Sequence, residues 1–343
     1  MTTESNQLDI DTLTPYLEEQ IAGFVGPVTA EKFAGGQANP TFLLRAQSGS
    51  YVLRRQPPGQ LLKSAHAVDR EFRVLDALAM TAVPVARAYH LCEDREVIGS
   101  MFYVMSFEAG RIFWNPALPD IPREQRTAYY DAMLDTMAAL HDVDVAKVGL
   151  ADYGRAGNYF ERQISLWTRQ YRATETERLD AMEALIDWLP AHCPADGVRP
   201  SLVHGDFRID NLIFDPHACR VRALLDWELS TLGDPLADLA YFCMCLRLPS
   251  NGPITGLLGM NRAELGVPEE EALVARYCEL RGLAAIPEWH FYLAVSFFRL
   301  AAIAQGVKMR ALKGNASHVR AREVGGMAGQ LADMAARLIA QEA

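Results

Sequence analysis

The sequence predicts an α+β protein with a small, antiparallel, β-rich N-terminal lobe and a larger, mostly helical C-terminal lobe. From residue 121 onward, amphipathic segments with helical spacing predominate. The 343 residues are also too many for one small core. Short apolar runs typical of strands dominate the first third of the chain, at residues 28–36, 41–47, 51–56 and 101–107. We therefore predict an N-terminal lobe over residues 1–107 and a C-terminal lobe over residues 108–343.

Turn and breaker residues support the individual elements. A first helix is expected over residues 10–24, and Ser48-Gly49-Ser50 separates two strands as a hairpin turn would. Residues 66–79 carry apolar side chains at helical spacing, as expected for a helix that follows the third strand. In the second lobe we expect a short strand over residues 220–228 that ends in acidic residues. Helices are expected over residues 123–143, 158–174, 177–189 and through most of the chain beyond 235.

Composition excludes several classes of function. The net charge of −10 disfavours a nucleic-acid binder, which needs a basic surface. The six cysteines form no C-x-x-C pair, and this favours reduced thiols in a cytoplasmic protein. No basic segment followed by an apolar one opens the chain, so no signal peptide is expected. The apolar stretch 291–304 is interrupted by Arg299 and is too short to span a bilayer, so no membrane partner is expected.

The chemistry is concentrated in the segment LVHGDFRIDNLIFD, residues 202–215. Asp206 and Asn211 stand there in the order D-x-x-x-x-N, and Asp226 follows at the end of the next predicted strand. Two carboxylates and an amide are suited to a divalent cation such as magnesium, which completes its octahedron with water and phosphate oxygens. A neighbouring free carboxylate can accept the proton of an attacking hydroxyl. The alternative is a simple hairpin in which Asp and Asn serve as turn residues.

The segments HGDFRIDNLIFD and LLDWELSTLGDPLADLAYF together resemble the aminoglycoside phosphotransferase and choline kinase group, which has a two-lobe protein-kinase-like fold. The resemblance is closest to the branch associated with acyl-CoA dehydrogenases, to which hydroxyacyl-CoA kinase activity is attributed. It implies ATP and Mg²⁺ as cofactors, Asp206 as the catalytic base and Asn211 and Asp226 as magnesium ligands. It also implies that His204 and Gly205 shape the catalytic loop. The remaining implied site residues are Arg208 beside the base and two bracing acids, Asp234 and Asp238.

The N-terminal lobe carries a weaker part of the same resemblance. The segment FAGGQANPTFLL lies where a glycine-bearing loop covers ATP phosphates, although an ordinary β-turn is the alternative. Arg54 occupies the position of the usual lysine and keeps its charge, and Glu71 is expected to be its ion-pair partner. The residues implied in nucleotide binding are Gly35, Gly36, Gln37 and Asn39 in the loop, Arg54 and Glu71, and Met105, Ser106 and Phe107 at an adenine-binding hinge.

Three functions agree with these patterns. The first is an ATP- and magnesium-dependent kinase that acts on a hydroxyl of a small molecule or a hydroxyacyl-CoA, with a functional link to an acyl-CoA dehydrogenase. The second is an antibiotic kinase, whose polycationic acceptor requires an acid-lined pocket; Arg208 disfavours it. The third is a pseudokinase that binds nucleotide without chemistry. Arg162 and a basic run at residues 308–322 are candidates for contacts with an anionic substrate, although a solvated basic face also explains that run.

Overall fold

The computed structural model describes residues 8–33, 39–57, 67–155, 157–195, 200–314 and 321–340. The chain divides into two compact units. The first unit comprises Met1–Arg111 together with Val148–Leu150 and Ile213–Leu229. The second unit comprises Ile112–Lys147, Ala151–Leu212 and Ser230–Ala343. The hairpin after the D-x-x-x-x-N motif therefore belongs to the first unit, although it lies more than 100 residues further along the chain.

The first unit is built on a five-stranded sheet in which all neighbouring strands are antiparallel. Its spatial order is β1-β2-β3-β5-β4. The strands are β1 (Thr29–Lys32), β2 (Thr41–Ala46), β3 (Gly49–Arg55), β4 (Ala88–Cys92) and β5 (Phe102–Ser106). Helices α1 (Ile10–Gln20) and α2 (Val68–Leu78) belong to the same unit, as does the hairpin of β7 (Leu212–Phe214) and β8 (Val221–Leu224).

Alternation along the central strands gives this sheet two covered faces. Phe102 and Val104 of β5 belong to the buried apolar cluster that includes Leu13 and Leu17 of α1. Tyr103 lies between them, and its hydroxyl reaches Glu71 of α2. Since successive side chains of a strand point to opposite faces, α1 covers one face and α2 the other. The sheet therefore presents β3 and its Arg54 toward the helix that carries Glu71.

The second unit is mostly helical. Its helices are α3 (Arg126–His141), α4 (Tyr159–Thr174), α5 (Asp180–Ala191), α6 (Leu236–Leu246), α7 (Arg262–Leu265), α8 (Glu270–Arg281), α9 (Trp289–Leu312), α10 (Ala321–Gly326) and α11 (Ala328–Ala340). Two short strands, β6 (Ser201–Val203) and β9 (Thr231–Gly233), pair antiparallel within it. Helix α9 contacts α4, α6 and α11 and forms the core of the unit.

Helix α9 is longer than the apolar stretch predicted from the sequence. Its 24 residues are long and apolar enough to cross a membrane by length and composition alone. However, 78% of its most apolar 18-residue window is buried inside the protein, as is typical of a core helix. Two other elements differ from prediction. The first strand ends at Lys32, and the expected helix over residues 10–24 ends at Gln20, because the chain turns there before Gly23, whose φ is +81°.

Candidate active site

The catalytic loop, residues 204–211, begins directly after β6. Hydrogen bonds from its backbone N–H groups hold it in place. The N–H groups of His204 and Gly205 donate to the two carboxylate oxygens of Asp238, over 2.7 and 2.8 Å. Gly205 has a φ of +82°, which a residue without Cβ adopts at little cost. The sequence assigned Asp238 to a bracing role and His204 and Gly205 to shaping the loop, and these contacts are of that kind. His204 is fully buried, so it positions the loop and has no access to a substrate.

A buried polar chain extends behind Asp238. His141 Nε2 lies 3.2 Å from Asp238 Oδ2, and His141 Nδ1 lies 2.7 Å from the hydroxyl of Tyr277. Burial lowers the pKa of His141, so the imidazole is neutral and donates from Nε2 to the carboxylate. Burial alone would raise the pKa of Asp238, but the hydrogen bonds from His141 and from the backbone of His204 lower it. Asp238 is thus an ionised brace whose carboxylate accepts hydrogen bonds from His141 and from the backbone of His204 and Gly205.

Asp206 lies in the middle of this loop with its carboxylate restrained from several sides. Its backbone N–H donates to His204 Nδ1 over 3.2 Å. The amide of Asn211 donates to both the carbonyl and the Oδ2 of Asp206, over 2.9 and 3.0 Å. The side chain remains 20% exposed. Asp206 therefore has the geometry of a general base: its orientation is fixed and an oxygen remains accessible.

Arg208 is compensated by two carboxylates. Its guanidinium lies 2.5 Å from Asp210 Oδ2 and 3.7 Å from Asp206 Oδ1. Burial opposes its charge, but Asp206 and Asp210 outweigh that effect and raise the pKa of Arg208. Two carboxylates neutralise this cation locally, which weakens the sequence-based expectation that Arg208 disfavours a cationic acceptor. Arg208 steers the base and leaves the charge of the acceptor undetermined.

Asp234 has a different role from the one expected. Its carboxylate accepts the backbone N–H of Leu236 over 2.8 Å, at the start of α6. The bracing contacts to the catalytic loop come from Asp238 instead. Burial raises the pKa of Asp234 to about 6, and the Leu236 hydrogen bond only partly offsets this. Asp234 thus accepts the first backbone N–H of the helix that carries the brace, from a position one residue before the N-cap Pro235.

The first unit holds a second group of charges, the Arg54 cluster, formed by Arg54, Glu71, Asp226 and Glu228. Arg54 Nε lies 3.0 Å from Glu71 Oε2, which is the ion pair that the sequence predicted. The same guanidinium reaches Asp226 Oδ1 at 2.8 Å and Glu228 Oε2 at 3.7 Å. A planar fork with five donors can contact several carboxylates at once, which a lysine ammonium does less precisely. Arg54 therefore organises three acids around one cation.

Glu71 is almost completely buried and is held by neutral donors as well. Asn39 donates to its Oε1 over 2.9 Å, and the hydroxyl of Tyr103 donates to its Oε2 over 3.1 Å. Burial raises the pKa of Glu71 to about 7, and Asp226 and Glu228 act in the same direction, whereas Arg54 and Tyr103 lower it. Asn39 was predicted to contact nucleotide, but its side chain is fully buried and orients Glu71. Asn39 thus acts on the predicted nucleotide-binding residue Arg54 only through Glu71.

Asp226 is held in an unusual backbone conformation. Its φ is +64°, in the left-handed region that residues with a Cβ rarely adopt. Arg54 bonds only one of its carboxylate oxygens, and the side chain is 35% exposed. Such strain at an acidic residue is typical of functional sites. The Asp226 carboxylate and, separately, the side-chain carbonyl of Asn211 are hard oxygen donors of the kind that magnesium prefers, so the chemistry of each predicted ligand suits the ion.

The remaining predicted nucleotide-binding residues belong to the glycine-bearing loop and to the hinge. Gly35, Gly36 and Gln37 lie outside the described residues. At the predicted hinge, the N–H of Ser106 donates to the carbonyl of Arg87, and its hydroxyl donates to Glu108. The backbone N–H of Ser106 therefore already has a hydrogen-bond acceptor within the first unit. Phe107 is 37% exposed directly after β5, and Met105 is paired within the sheet.

Sequence reasoning missed several residues that support the site. These residues are His141 and Tyr277 behind the catalytic loop, Asp210 beside Arg208, and Tyr103 and Glu228 in the Arg54 cluster. Tyr103 had a detectable signal, since it is a polar side chain within an otherwise apolar strand. His141 and Tyr277 had none, because their partners are distant in sequence.

The fold and the site define a phosphotransferase of the protein-kinase-like class, and comparison with known proteins assigns the family. Residues 29–289 match the model of the phosphotransferase enzyme family known as APH. The chain belongs to this family. A structure from Ralstonia eutropha JMP134, described as "a putative aminoglycoside phosphotransferase", shares 44% identity with a TM-score of 0.90 and covers 98% of this chain and 99% of that one. The predicted kinase-like fold class is confirmed.

More distant structures and curated relatives extend this comparison. A ternary complex of aminoglycoside phosphotransferase APH(4)-Ia with ADP and hygromycin B has a TM-score of 0.62 at 17% identity, and it covers 95% of this chain and 98% of that one. Acyl-CoA dehydrogenase family member 10 of Mus musculus is 46% identical over 95% of this chain and 30% of its own length. Member 11 of Homo sapiens is 41% identical over 91% of this chain and 40% of its own length. The chain thus spans less than half of these relatives.

Proposed function

We propose that the protein is an ATP- and magnesium-dependent kinase that phosphorylates a hydroxyl group of a small molecule, with hydroxyacyl-CoA thioesters as the favoured acceptors. The observation that carries the proposal is the restrained Asp206 carboxylate, which Asn211 orients while one fifth of the side chain remains exposed. A turn residue in an ordinary hairpin would not require a buried Asp238 and two backbone donors behind it. Membership of the phosphotransferase family supports the same reaction class.

In this proposal different residues act on the acceptor hydroxyl and on the nucleotide. Asp206 accepts the proton of the acceptor hydroxyl, and Asn211 keeps its carboxylate in one orientation. Arg54 contacts the nucleotide phosphates and Glu71 fixes the direction of its guanidinium. Asn211 and Asp226 would hold magnesium through oxygen atoms. Bound ATP would supply the phosphoryl group, and magnesium would neutralise charge on the ATP phosphates.

The proposed acceptor class rests on the relatives. Two curated relatives are named as acyl-CoA dehydrogenases, and this chain matches 30% and 40% of their lengths. We therefore propose a functional link to an acyl-CoA dehydrogenase. The proposed cytoplasmic location rests separately on the six cysteines, which form no C-x-x-C pair. An aminoglycoside kinase is the second candidate, since the compensated Arg208 removes one argument against it. A pseudokinase is the third, and the intact Asp206, Asn211 and Asp226 disfavour it.

The test is ATP consumption by the purified protein with Mg²⁺ across hydroxyacyl-CoAs, aminoglycosides and sugars. We expect ADP release to depend on a hydroxyacyl-CoA, and mass spectrometry of the product to show one added phosphoryl group. Asp206→Asn serves as the inactive reference, and Asp187→Asn is its matched control, because Asp187 lies exposed on α5. Turnover with aminoglycosides alone would establish the second candidate. Nucleotide binding without turnover on any acceptor would establish the third.

A further inference from the structure

Arg299 of α9 is a cation enclosed by aromatic rings in the second unit. Its guanidinium carbon lies 5.6 Å from the ring centroid of Trp167 on α4 and 4.9 Å from that of Tyr241 on α6. Both distances are within the range of a cation–π interaction. The two rings fix the direction of the guanidinium without neutralising its charge, because a π face attracts a cation but is not a counter-ion.

No carboxylate among the described residues neutralises this guanidinium. Across residues 8–33, 39–57, 67–155, 157–195, 200–314 and 321–340, no acidic group lies within 4.0 Å of Arg299, and its buried Nε has no hydrogen-bond partner. Three of the other cations considered for substrate contact are occupied. Arg162 donates to the carbonyl of Gly157, Arg208 is paired with two carboxylates, and Lys308 is paired with Glu177. Buried donors are normally satisfied, so an unmatched one indicates a missing partner.

Arg299 also lies on the same side of α6 as the brace of the catalytic loop. Tyr241 follows Asp238 by three residues, so the two side chains share one face of the helix. Asp238 binds the backbone of the loop that carries Asp206. Burial raises the pKa of Tyr241, the charge of Asp206 adds to this rise, and Arg208 and Arg299 oppose it. The buried Tyr241 hydroxyl therefore experiences both the charge of the base and that of Arg299.

We propose that Arg299 determines acceptor specificity by binding an anionic group, a carboxylate or a phosphate, of the molecule that Asp206 deprotonates. This inference rests on the proposed function. It gives the unmatched guanidinium its counter-ion, and a bidentate contact with either anion suits its planar fork. A local cation is also needed because the chain has a net charge of −10, which repels anions at longer range. A polycationic acceptor would be repelled at this position.

The test measures acceptor binding by calorimetry in the presence of magnesium and a non-hydrolysable ATP analogue. Three probes share one acyl group: a 3-hydroxyacyl-CoA, the free 3-hydroxy acid, and the N-acetylcysteamine thioester, which carries no anionic group. Arg299→Met keeps the length of the side chain that packs between the rings. Arg169→Met on the exposed side of α4 is the matched control, since Arg169 contacts only Ser165 among the described residues.

We expect Arg299→Met to weaken binding of at least one anionic probe about 10- to 100-fold, the usual worth of one charge-assisted hydrogen bond. The neutral thioester should bind as it does to the parent, and Arg169→Met should bind all probes as the parent does. Loss confined to the CoA thioester identifies a phosphate as the anion, and loss confined to the free acid identifies a carboxylate. Equal weakening of the neutral thioester would overturn the inference, because it would reveal a packing role alone.

Two further outcomes also decide the question. Unchanged binding of every probe to Arg299→Met, or no binding of any anionic probe to the parent, overturns the inference. If Arg299→Met does not fold, Arg299→Lys replaces it: the charge remains but the fork is lost, so anionic probes should bind about 3- to 10-fold more weakly, and parental binding would contradict the role. ATP turnover in the same samples reports separately on the proposed function, since anion binding without turnover rejects the kinase and leaves the anion site standing.

Discussion

The Arg54 cluster and the catalytic loop hold their acidic side chains by different physical means. In the Arg54 cluster, three carboxylates surround one guanidinium, so the balance is negative when all of them are ionised. In the catalytic loop, Asp206 is oriented by the amide of Asn211, and the loop backbone is bound by Asp238. The first arrangement depends on charge, whereas the second depends mainly on directed hydrogen bonds from neutral groups.

Because of this difference, the two regions should respond differently to metal, nucleotide and pH. The excess negative charge of the Arg54 cluster attracts a cation such as magnesium, and its geometry should respond to metal, nucleotide and pH. The catalytic loop is insulated from such changes, because backbone N–H donors cannot titrate and the histidines behind it are buried. We therefore expect substitutions in the loop to change turnover with little effect on binding, and substitutions in the Arg54 cluster to change binding first.

The largest expected effect is that of Asp206→Asn on turnover. The substitution is isosteric and removes the ability to accept a proton, while Asp210 remains as a partner of Arg208, so turnover should fall about 10²- to 10⁴-fold. Binding of magnesium and ATP and the free energy of unfolding should stay close to those of the parent. Steady-state kinetics with any acceptor that the parent phosphorylates measures the effect. Parental turnover in this variant would place the base elsewhere.

The next effect is that of Asp226→Ala on nucleotide binding. It removes a carboxylate that would hold magnesium, so the magnesium-dependent part of ATP binding should be lost, a decrease of at least about 10²-fold. Calorimetry with and without Mg²⁺ measures this. Asp226→Gly is the matched variant, because it also removes the strain of φ +64°. Both variants should fail to bind, and Asp226→Gly should be about 1 kcal/mol more stable. Unchanged affinity for magnesium-bound ATP would reject the assignment.

A third substitution, Asp238→Asn, tests whether the loop depends on its brace. An amide offers one acceptor oxygen where the carboxylate serves two N–H groups and His141, so a buried donor loses its partner. We expect unfolding to require about 3 kcal/mol less free energy, the cost of breaking a buried charge contact. Turnover should fall while the Michaelis constant for ATP changes little. Chemical denaturation and kinetics together test this, and a stable variant with normal turnover would show that the brace is dispensable.

The sequence could predict the residues whose neighbours are local or belong to a fixed motif. The D-x-x-x-x-N spacing identified Asp206 and Asn211, which the structure brings into contact over 3.0 Å. The Arg54–Glu71 pair was also predicted, although Arg replaces the usual lysine. The alternation of apolar residues predicted four of the five strands of the large sheet. Local patterns are sufficient for these features because each depends on a few neighbouring positions.

The remaining features depend on contacts between distant segments. His141 is 97 residues from Asp238 and 136 residues from Tyr277, and no spacing rule connects them. Strand β4 was not predicted, since most of its side chains are only partly buried and its apolar pattern is weak. The charge of Arg208 was read without its two partners. The sequence gives the sign of a side chain's charge. The neighbours of that side chain in the fold decide whether the charge acts on a substrate.

The smallest expected effect concerns Asp234 and distinguishes its contact with the start of α6 from bracing. Burial raises its pKa to about 6 from the ordinary value of 3.8. Between pH 4 and 6 the folded protein therefore binds a proton that the unfolded chain has released, so this residue makes the free energy of unfolding fall as pH rises through that window. Asn accepts a backbone N–H at a helix start as well as Asp does and cannot ionise. Asp234→Asn should therefore flatten this decline and be more stable above pH 6, by on the order of 2 kcal/mol.

Denaturation of both proteins at several pH values measures the prediction, and the difference between their curves isolates Asp234 from other titrating groups such as Glu71. The expected gain is an upper bound, because the positive end of the α6 dipole also stabilises the ionised carboxylate. Turnover should stay near that of the parent, since the loop is bound by Asp238, which has its own contacts to His204 and Gly205. A large loss of turnover in Asp234→Asn would show instead that the loop is braced from both acids, as the sequence alone implied.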